Sequence, residues 1–211
     1  MDNNLIALNE KLTAIAENEQ RVFDAGKAKR DYEWWDKVAP TTRYSYVYAF
    51  FGPWWTDDVY NPVRELTIAN ASSSPNSTYM YGGSMITDTK VPINLSTNAE
   101  RVYNLVNTFT SATYLKTIRK LIVNERIAMD NQFTSCTALE NLTIEGTIGQ
   151  NFNAQWCPLT EESILSVVTH LSDTTSGLTC TFKSTAVEAA FTTEEWNALV
   201  ATKPNWTFAK A

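Results

Sequence analysis

Two segments of the chain repeat each other: residues 107–118 read NTFTSATYLKTI, and residues 131–142 read NQFTSCTALENL. The matching apolar positions lie 24 residues apart, and they are Phe109 and Phe133, Leu115 and Leu139, and Ile118 and Leu142. A period of about 20–29 residues with Leu-x-x-Leu spacing is typical of leucine-rich repeats. We therefore predict stacked coils, in which neighbouring coils together bury apolar side chains that one coil cannot bury alone.

The predicted core of these repeats includes one cysteine. Cys136 stands where the other copy has Ala112, which indicates a small buried residue rather than a reactive thiol. Counting 24 residues back from Phe109 and Leu115 predicts a fainter earlier copy at Met85 and Val91. The full set of predicted core residues is Phe109, Leu115, Ile118, Phe133, Cys136, Leu139 and Leu142.

Residues 5–22 carry a heptad pattern, which predicts a coiled-coil helix with a narrow apolar seam. So short a seam needs a partner, which is either a second copy of the chain or the chain's own body. We favour self-association, and a trimer over a dimer. The predicted oligomerisation residues are Leu5, Leu8, Leu12, Ile15 and Val22, with Glu19 at one further seam position.

An aromatic cluster lies between Tyr32 and Tyr60. Tyr44, Tyr46, Tyr48 and Phe50 alternate, which predicts a strand with one aromatic face. The cluster also holds two tryptophan pairs. If their rings are buried, they form a junction core; if they are exposed, they are candidates for stacking on glycans. The four candidates are Trp34, Trp35, Trp54 and Trp55.

The C-terminal part mixes helices and strands. A helix is predicted over residues 159–171, with Ile164, Leu165, Val168 and Leu171 on one face. A strand is predicted at Leu178–Phe182, a capping box at residues 192–195 and a last strand at residues 204–208.

The predicted fold class is α+β and β-rich: an N-terminal coiled-coil helix, then a short leucine-rich-repeat-like solenoid with a helical C-terminal cap. The predicted domains are the oligomerising helix at 1–30, an aromatic-rich β junction at 31–80, the repeats at 81–158 and the α/β cap at 159–211.

Composition and charge argue against several function classes. A net charge of -6 without a basic cluster argues against nucleic-acid binding. No apolar run is long enough to span a membrane, and the start Met1-Asp2-Asn3-Asn4 does not read as a signal peptide. The spacing of Cys136, Cys157 and Cys180 matches no zinc motif.

No catalytic site is expected. His170 is the single histidine of the chain, and its position near a predicted helix end suits a structural role. The acidic pairs at 57–58, 161–162 and 194–195 read as first-turn helix residues. We therefore predict a protein that is not an enzyme, with no catalytic residues, metal or cofactor.

The motif Phe-x-x-Cys-x-x-Leu-x-x-Leu at 133–142 resembles the BspA-type leucine-rich repeats of gut-bacterial surface proteins and of Firmicutes phages and prophages. The start of the chain at 16–27 and its end, at 159–171 and 193–208, are also similar to those phage-borne proteins.

This resemblance implies a virion structural protein of a phage, such as a tail or head appendage of the fibre or baseplate type with a role in host attachment. Its expected partners are other copies of itself, other virion proteins through the N-terminal helix, and a host-surface glycan or protein. The alternative is a bacterial surface adhesin or carbohydrate-binding module.

Overall fold

The computed structural model describes Lys11, Thr13, residues 49–60, Pro62, and residues 65–67, 79–96 and 107–211. The chain divides into two compact units, Met1–Pro40 and Thr41–Ala211. In the first unit, Lys11 and Thr13 are helical. All the elements named below belong to the second unit.

The first sheet consists of four parallel strands in the order β1–β2–β3–β4. The strands are β1 (Leu66–Thr67), β2 (Ile93–Asn94), β3 (Thr117–Val123) and β4 (Asn141–Gly146). Ile118 pairs with Leu142, so strands β3 and β4 have the 24-residue offset of the sequence repeat. Ile93 pairs with Leu121, so the offset between β2 and β3 is 28 residues instead.

The second sheet consists of three parallel strands in the order β5–β6–β7. They are β5 (Phe152–Ala154), β6 (Leu178–Phe182) and β7 (Trp206–Lys210). Parallel neighbours require long crossover connections, and here helices provide them. Helix α1 (Glu161–Thr169) lies between β5 and β6, while α2 (Ser184–Ala190) and α3 (Thr193–Ala201) lie between β6 and β7.

Local sequence accounts for the ends of two helices. The Thr160 side chain accepts a hydrogen bond from the Ser163 amide and caps α1. Thr192 and Glu195 form the predicted capping box at the start of α3. Helix α2 has no side-chain cap, and the sequence analysis did not predict it.

The predicted fold class is wrong. In the described residues, two parallel sheets and three short helices form an α/β-type fold, and no leucine-rich-repeat-like solenoid is seen. The segment 159–211, predicted as a cap, contributes β6, β7 and all three helices. A 24-residue spacing that reads as a repeat therefore arises from one crossover between parallel strands, β3 to β4. The crossover from β2 to β3 differs in length, and those of the second sheet contain helices.

The predicted coiled-coil helix lies outside the described residues, as do its seam residues Leu5, Leu8, Leu12, Ile15 and Val22. The four-part division of the chain stays a prediction.

A column of aromatic rings runs through the core, from the connections between strands of the first sheet to strands β5 and β6 of the second. Tyr81 stacks on Phe109 with ring centroids 5.4 Å apart, and Phe109 stacks on Phe133 at 5.9 Å. Phe133 contacts Phe152 at 5.7 Å, and Phe152 contacts Phe182 at 5.8 Å. The five rings are fully or almost fully buried. Each passage of the chain from one strand to the next, which we call a layer, thus adds one ring to the column. Contacts between these rings pack the layers closely.

The stack corrects the prediction of an earlier repeat copy at Met85. The ring that packs on Phe109 is that of Tyr81, 28 residues earlier, whereas Met85 is exposed. The backbone shows the same offset: Gly83 and Ser111 both have left-handed φ angles, +66° and +63°. The Gly83 amide donates to the Ser111 carbonyl, so these two turns lie in adjacent layers.

We expect Phe133→Ala to lower the free energy of unfolding by about 3–5 kcal/mol, because a fully buried ring is lost from the middle of the column. Urea denaturation of the full chain, followed by circular dichroism, measures the change. Tyr114→Ala is the matched control at an exposed aromatic residue and should change the stability by less than about 0.5 kcal/mol. Equal losses in the two variants would contradict the packing role of the column.

Gly146→Ala should destabilise the chain more than Gly177→Ala. Both glycines have positive φ angles, +92° and +75°, so alanine at either site costs roughly 1–2 kcal/mol in backbone strain. A methyl group at Gly146 would also overlap the carbonyl oxygen of Val123 in strand β3, whereas nothing lies within 4 Å of a methyl group at Gly177. Thermal unfolding of the two variants measures the difference, and identical midpoints would exclude the close approach of β4 to β3.

Candidate functional site

The adjacent tryptophans at 54 and 55 have different environments. Trp55 is half-buried, and its ring meets Phe50 edge-on with centroids 5.1 Å apart. Trp54 is 69% exposed, the largest value among the large hydrophobic side chains of the described residues. The structure therefore places one of these glycan-stacking candidates against the core and the other on the surface. The remaining two candidates, Trp34 and Trp35, lie outside the described residues.

The indole of Trp54 lies against the main chain of Gly52. A methyl group at Gly52 would be 2.5 Å from Cζ2 of Trp54 and 2.8 Å from Cε2, so only glycine leaves room for the ring there. The φ angle of Gly52 is +99°, which other residues rarely adopt. The Gly52 amide donates to the Gly82 carbonyl at 3.0 Å, and the Trp55 amide donates back to the Gly52 carbonyl at 3.2 Å. The turn that carries Trp54 is thus held at both ends.

The Phe51 ring also lies against a glycine, Gly82 in the next layer. We call such a contact between an aromatic ring and a glycine main chain a glycine seat. A methyl group at Gly82 would be 3.1 Å from Cδ2 of Phe51, and the Phe51 side chain is exposed. We call Phe51 and Trp54 together the aromatic shelf. Its two rings, which are three residues apart in the chain, rest on glycines that hydrogen-bond to each other. Sequence analysis identified Trp54 but missed Phe51; the available signal was the set of glycines at 52, 82 and 83, since glycine often marks close backbone approach.

The polar side chains beside the shelf are held by hydrogen bonds. One carboxylate oxygen of Asp57 accepts from the Thr87 amide at 2.9 Å, and the other accepts from the Thr87 hydroxyl at 2.5 Å. The Lys90 ammonium donates to the carbonyls of Asp57, at 2.5 Å, and Tyr60, at 2.6 Å. These bonds join the segment that carries the shelf to the following layer.

Two buried tyrosines, Tyr60 and Tyr81, anchor the segment that carries the shelf in the core. The Tyr60 hydroxyl donates to the Thr89 carbonyl at 2.9 Å and lies 2.7 Å from the Tyr81 hydroxyl. Because Tyr60 donates its proton to Thr89, its oxygen accepts from Tyr81. Both phenols are thereby satisfied without water, which keeps the segment under the shelf ordered.

An open groove of 430 Å³ lies between the start of α1 and one face of α2. Its carboxylates belong to Glu140 and Glu161, both of which are exposed. The Thr160 hydroxyl lies 3.0 Å from the Ser163 hydroxyl, and Ser163 donates to the Glu140 carbonyl at 2.9 Å. The hydroxyl groups beside this groove are therefore engaged in capping α1 and in tying it to the Glu140 backbone.

The seven residues predicted as repeat core are buried, and they include Cys136. The Cys136 thiol donates to the Phe109 carbonyl at 3.0 Å, next to the aromatic column. Burial raises the pKa of the Cys136 thiol to about 12, and it also raises the pKa values of Cys157 and Cys180 well above the ordinary value. The thiolate is the reactive form, so these thiols are inert at neutral pH.

His170 and two acidic pairs have roles in the helices. His170 is the C-cap of α1, and its Nδ1 lies 2.7 Å from the Ser166 carbonyl oxygen. Glu161 and Glu162 occupy the first turn of α1, and Glu194 and Glu195 that of α3. The hydrogen bonds that the Glu195 carboxylate accepts from Thr192 lower its pKa.

Across the part of the chain that the structure describes, no group of three or more histidine, cysteine or acidic side chains is placed to hold a metal ion. In the same residues, no helix combines the length and apolar character needed to cross a bilayer.

Comparison of the chain with models of protein families, with curated proteins and with solved structures found no match.

The three buried thiols should make the chain less stable in alkali. The unfolded state releases a thiol proton near pH 8.5–9, whereas folded Cys136 keeps its proton up to about pH 12. Above pH 9 the unfolded state therefore binds fewer protons, and stability falls as the pH rises.

Cys136→Ala, which introduces the residue found at Ala112, should reduce this decline by about 1.4 kcal/mol per pH unit between pH 9 and 11. Denaturation at a series of pH values measures the slope, and Thr137→Ala is an exposed control. Parallel slopes for wild type and Cys136→Ala would contradict the assignment. Rapid reaction of folded protein with a thiol reagent at pH 7 would contradict it as well.

Proposed function

We propose that this chain is a structural protein of a phage virion: a homo-oligomeric appendage of the tail or head that contributes to binding the host surface and has no catalytic activity. The support for the phage assignment is the ordered set of segments at 16–27, 133–142, 159–171 and 193–208, which resemble phage-borne BspA-type proteins. The proposal does not depend on the solenoid prediction, which the two parallel sheets overturn.

The observation that carries the non-catalytic part of the proposal is the use of the reactive side chains. The three thiols are buried in the core, and His170 caps a helix. The acidic pair at 194–195 lies in the first turn of α3, where Glu195 completes a capping box. General acid–base chemistry needs a base within hydrogen-bond reach of a substrate proton, and these groups are engaged in packing and capping instead.

Self-association is part of the proposal, with a trimer preferred. The proposed contacts are the heptad residues of segment 5–22, through which other virion proteins are also proposed to bind. A bacterial surface adhesin or carbohydrate-binding module is the second candidate, and the exposure of Trp54 is the observation that favours it.

We expect antibodies against this chain to label phage particles purified by density gradient from an induced culture of the bacterium that carries the gene. The labelled fractions should contain a protein band that the same antibodies recognise. Antibodies against a cytosolic enzyme of the same cell serve as the control. Particles without the band, together with labelling of the cell wall, would replace the virion proposal with the adhesin.

The same proposal expects the full chain to have three times the mass of one 23.7 kDa protomer in solution, and the chain without residues 1–30 to be monomeric. Leu8→Asp with Leu12→Asp should also give monomers, because charges would face one another in the seam. Lys11→Asp is the matched control at an exposed position and should leave the trimer intact. A monomeric full chain, or a trimeric truncated one, would contradict assembly through this segment.

A further inference from the structure

The aromatic shelf has the properties of a preformed stacking surface. Trp54 projects its ring into solvent with 69% of its surface exposed, yet the ring is positioned against the backbone of Gly52. Phe51 is 40% exposed and lies against Gly82 in the same way. A ring that is already held in place loses little conformational freedom when a ligand stacks on it, so more of the contact energy contributes to affinity.

The charges beside the shelf favour an uncharged ligand. The segments 49–60 and 79–90 together contain one cation, Lys90, and three carboxylates, those of Asp57, Asp58 and Asp88. The Lys90 ammonium is already bound to two backbone carbonyls. A nucleic acid would also stack on exposed rings, but its affinity depends on cations that neutralise phosphates, and these segments offer no cation that is not engaged in this way.

An exposed carboxylate follows the shelf in the chain. Asp58 is exposed and lies four residues after Trp54. A pyranose ring has one face of C–H bonds, which packs on an aromatic ring, and an edge of hydroxyl groups, which donate to carboxylates. The combination of flat rings, an exposed acceptor and little free positive charge matches that chemistry.

We propose that Phe51 and Trp54 form a stacking site for a neutral sugar ring, and that the exposed carboxylate of Asp58 accepts hydrogen bonds from the sugar hydroxyl groups. This inference rests on the proposed function and deepens it, because it names neutral carbohydrate as the ligand class for host-surface binding. Trp55 is excluded from the contact surface, since its ring packs against Phe50.

The test is binding of the full chain to an array of neutral oligosaccharides built from glucose, galactose, mannose, rhamnose and N-acetylhexosamines. Isothermal titration with the best array member then measures affinity. We expect saturable binding, and we expect Trp54→Ala to weaken it roughly ten-fold or more, the scale of one lost stacking contact. Trp156→Ala is the matched control, because Trp156 is also exposed, at 45%, but does not lie on a glycine seat.

Gly52→Ala separates positioning of the ring from its mere presence. A methyl group there displaces the Trp54 indole, so affinity should fall although both rings remain. Circular dichroism confirms that this variant is folded, and Phe51→Ala, which leaves Gly52 unchanged, serves as the second variant if it is not.

Absence of binding to every array member, equal affinity of Trp54→Ala and wild type, or tighter binding of a thymidine decamer than of any sugar would overturn the inference. Antibody labelling of particles is independent of all three outcomes. If labelling succeeds and sugar binding fails, only the sugar site is wrong.

Discussion

Contact between aromatic rings of successive layers is the interaction on which the rest of this structure depends. Tyr81, Phe109, Phe133, Phe152 and Phe182 form one column. The first three lie between strands of the first sheet, and the last two lie in strands β5 and β6 of the second. A parallel strand of two or three residues, such as β1, β2 or β5, has few ladder bonds to hold it. Burial of one large ring per layer compensates, because aromatic side chains provide the largest apolar area for each residue that must be ordered.

The same layer spacing governs the backbone around the column. Gly83 and Ser111 adopt left-handed φ angles in adjacent turns, and an amide-to-carbonyl bond joins them. Gly146 allows β4 to approach the Val123 carbonyl of β3. Small residues and left-handed turns therefore occur where layers must meet closely, while the rings fill the interior between them. Cys136 follows this rule as a small side chain beside the column, and its burial is the reason that its thiol is inert.

At the N-terminal end of the column, some aromatic side chains are buried and others are exposed to solvent. Phe50 and Tyr60 are buried, and Trp55 packs on Phe50, but Phe51 and Trp54 face solvent on glycine seats. Chemically reactive side chains have structural roles instead: the thiols are buried, His170 caps a helix and Glu195 completes a capping box. Exposed rings that lie against glycines suit recognition, and the proposed function therefore combines a structural role with binding.

Sequence by itself determined the local features: the strand at Leu178–Phe182, the Thr192–Glu195 capping box and the buried positions of segments 107–118 and 131–142. Each follows from residues close together in the chain, such as a cap and its amide or an apolar period. The tertiary structure alone decided the α/β-type arrangement, helix α2 and the pairing of Tyr81 with Phe109. Likewise, it alone separated Trp54 from Trp55, because two identical neighbours in sequence differ only in what packs against them. The contact of Tyr81 with Phe109 joins residues 28 positions apart, and the pairing of Ile118 with Leu142 joins residues 24 positions apart. No local pattern of the sequence specifies which distant residues meet.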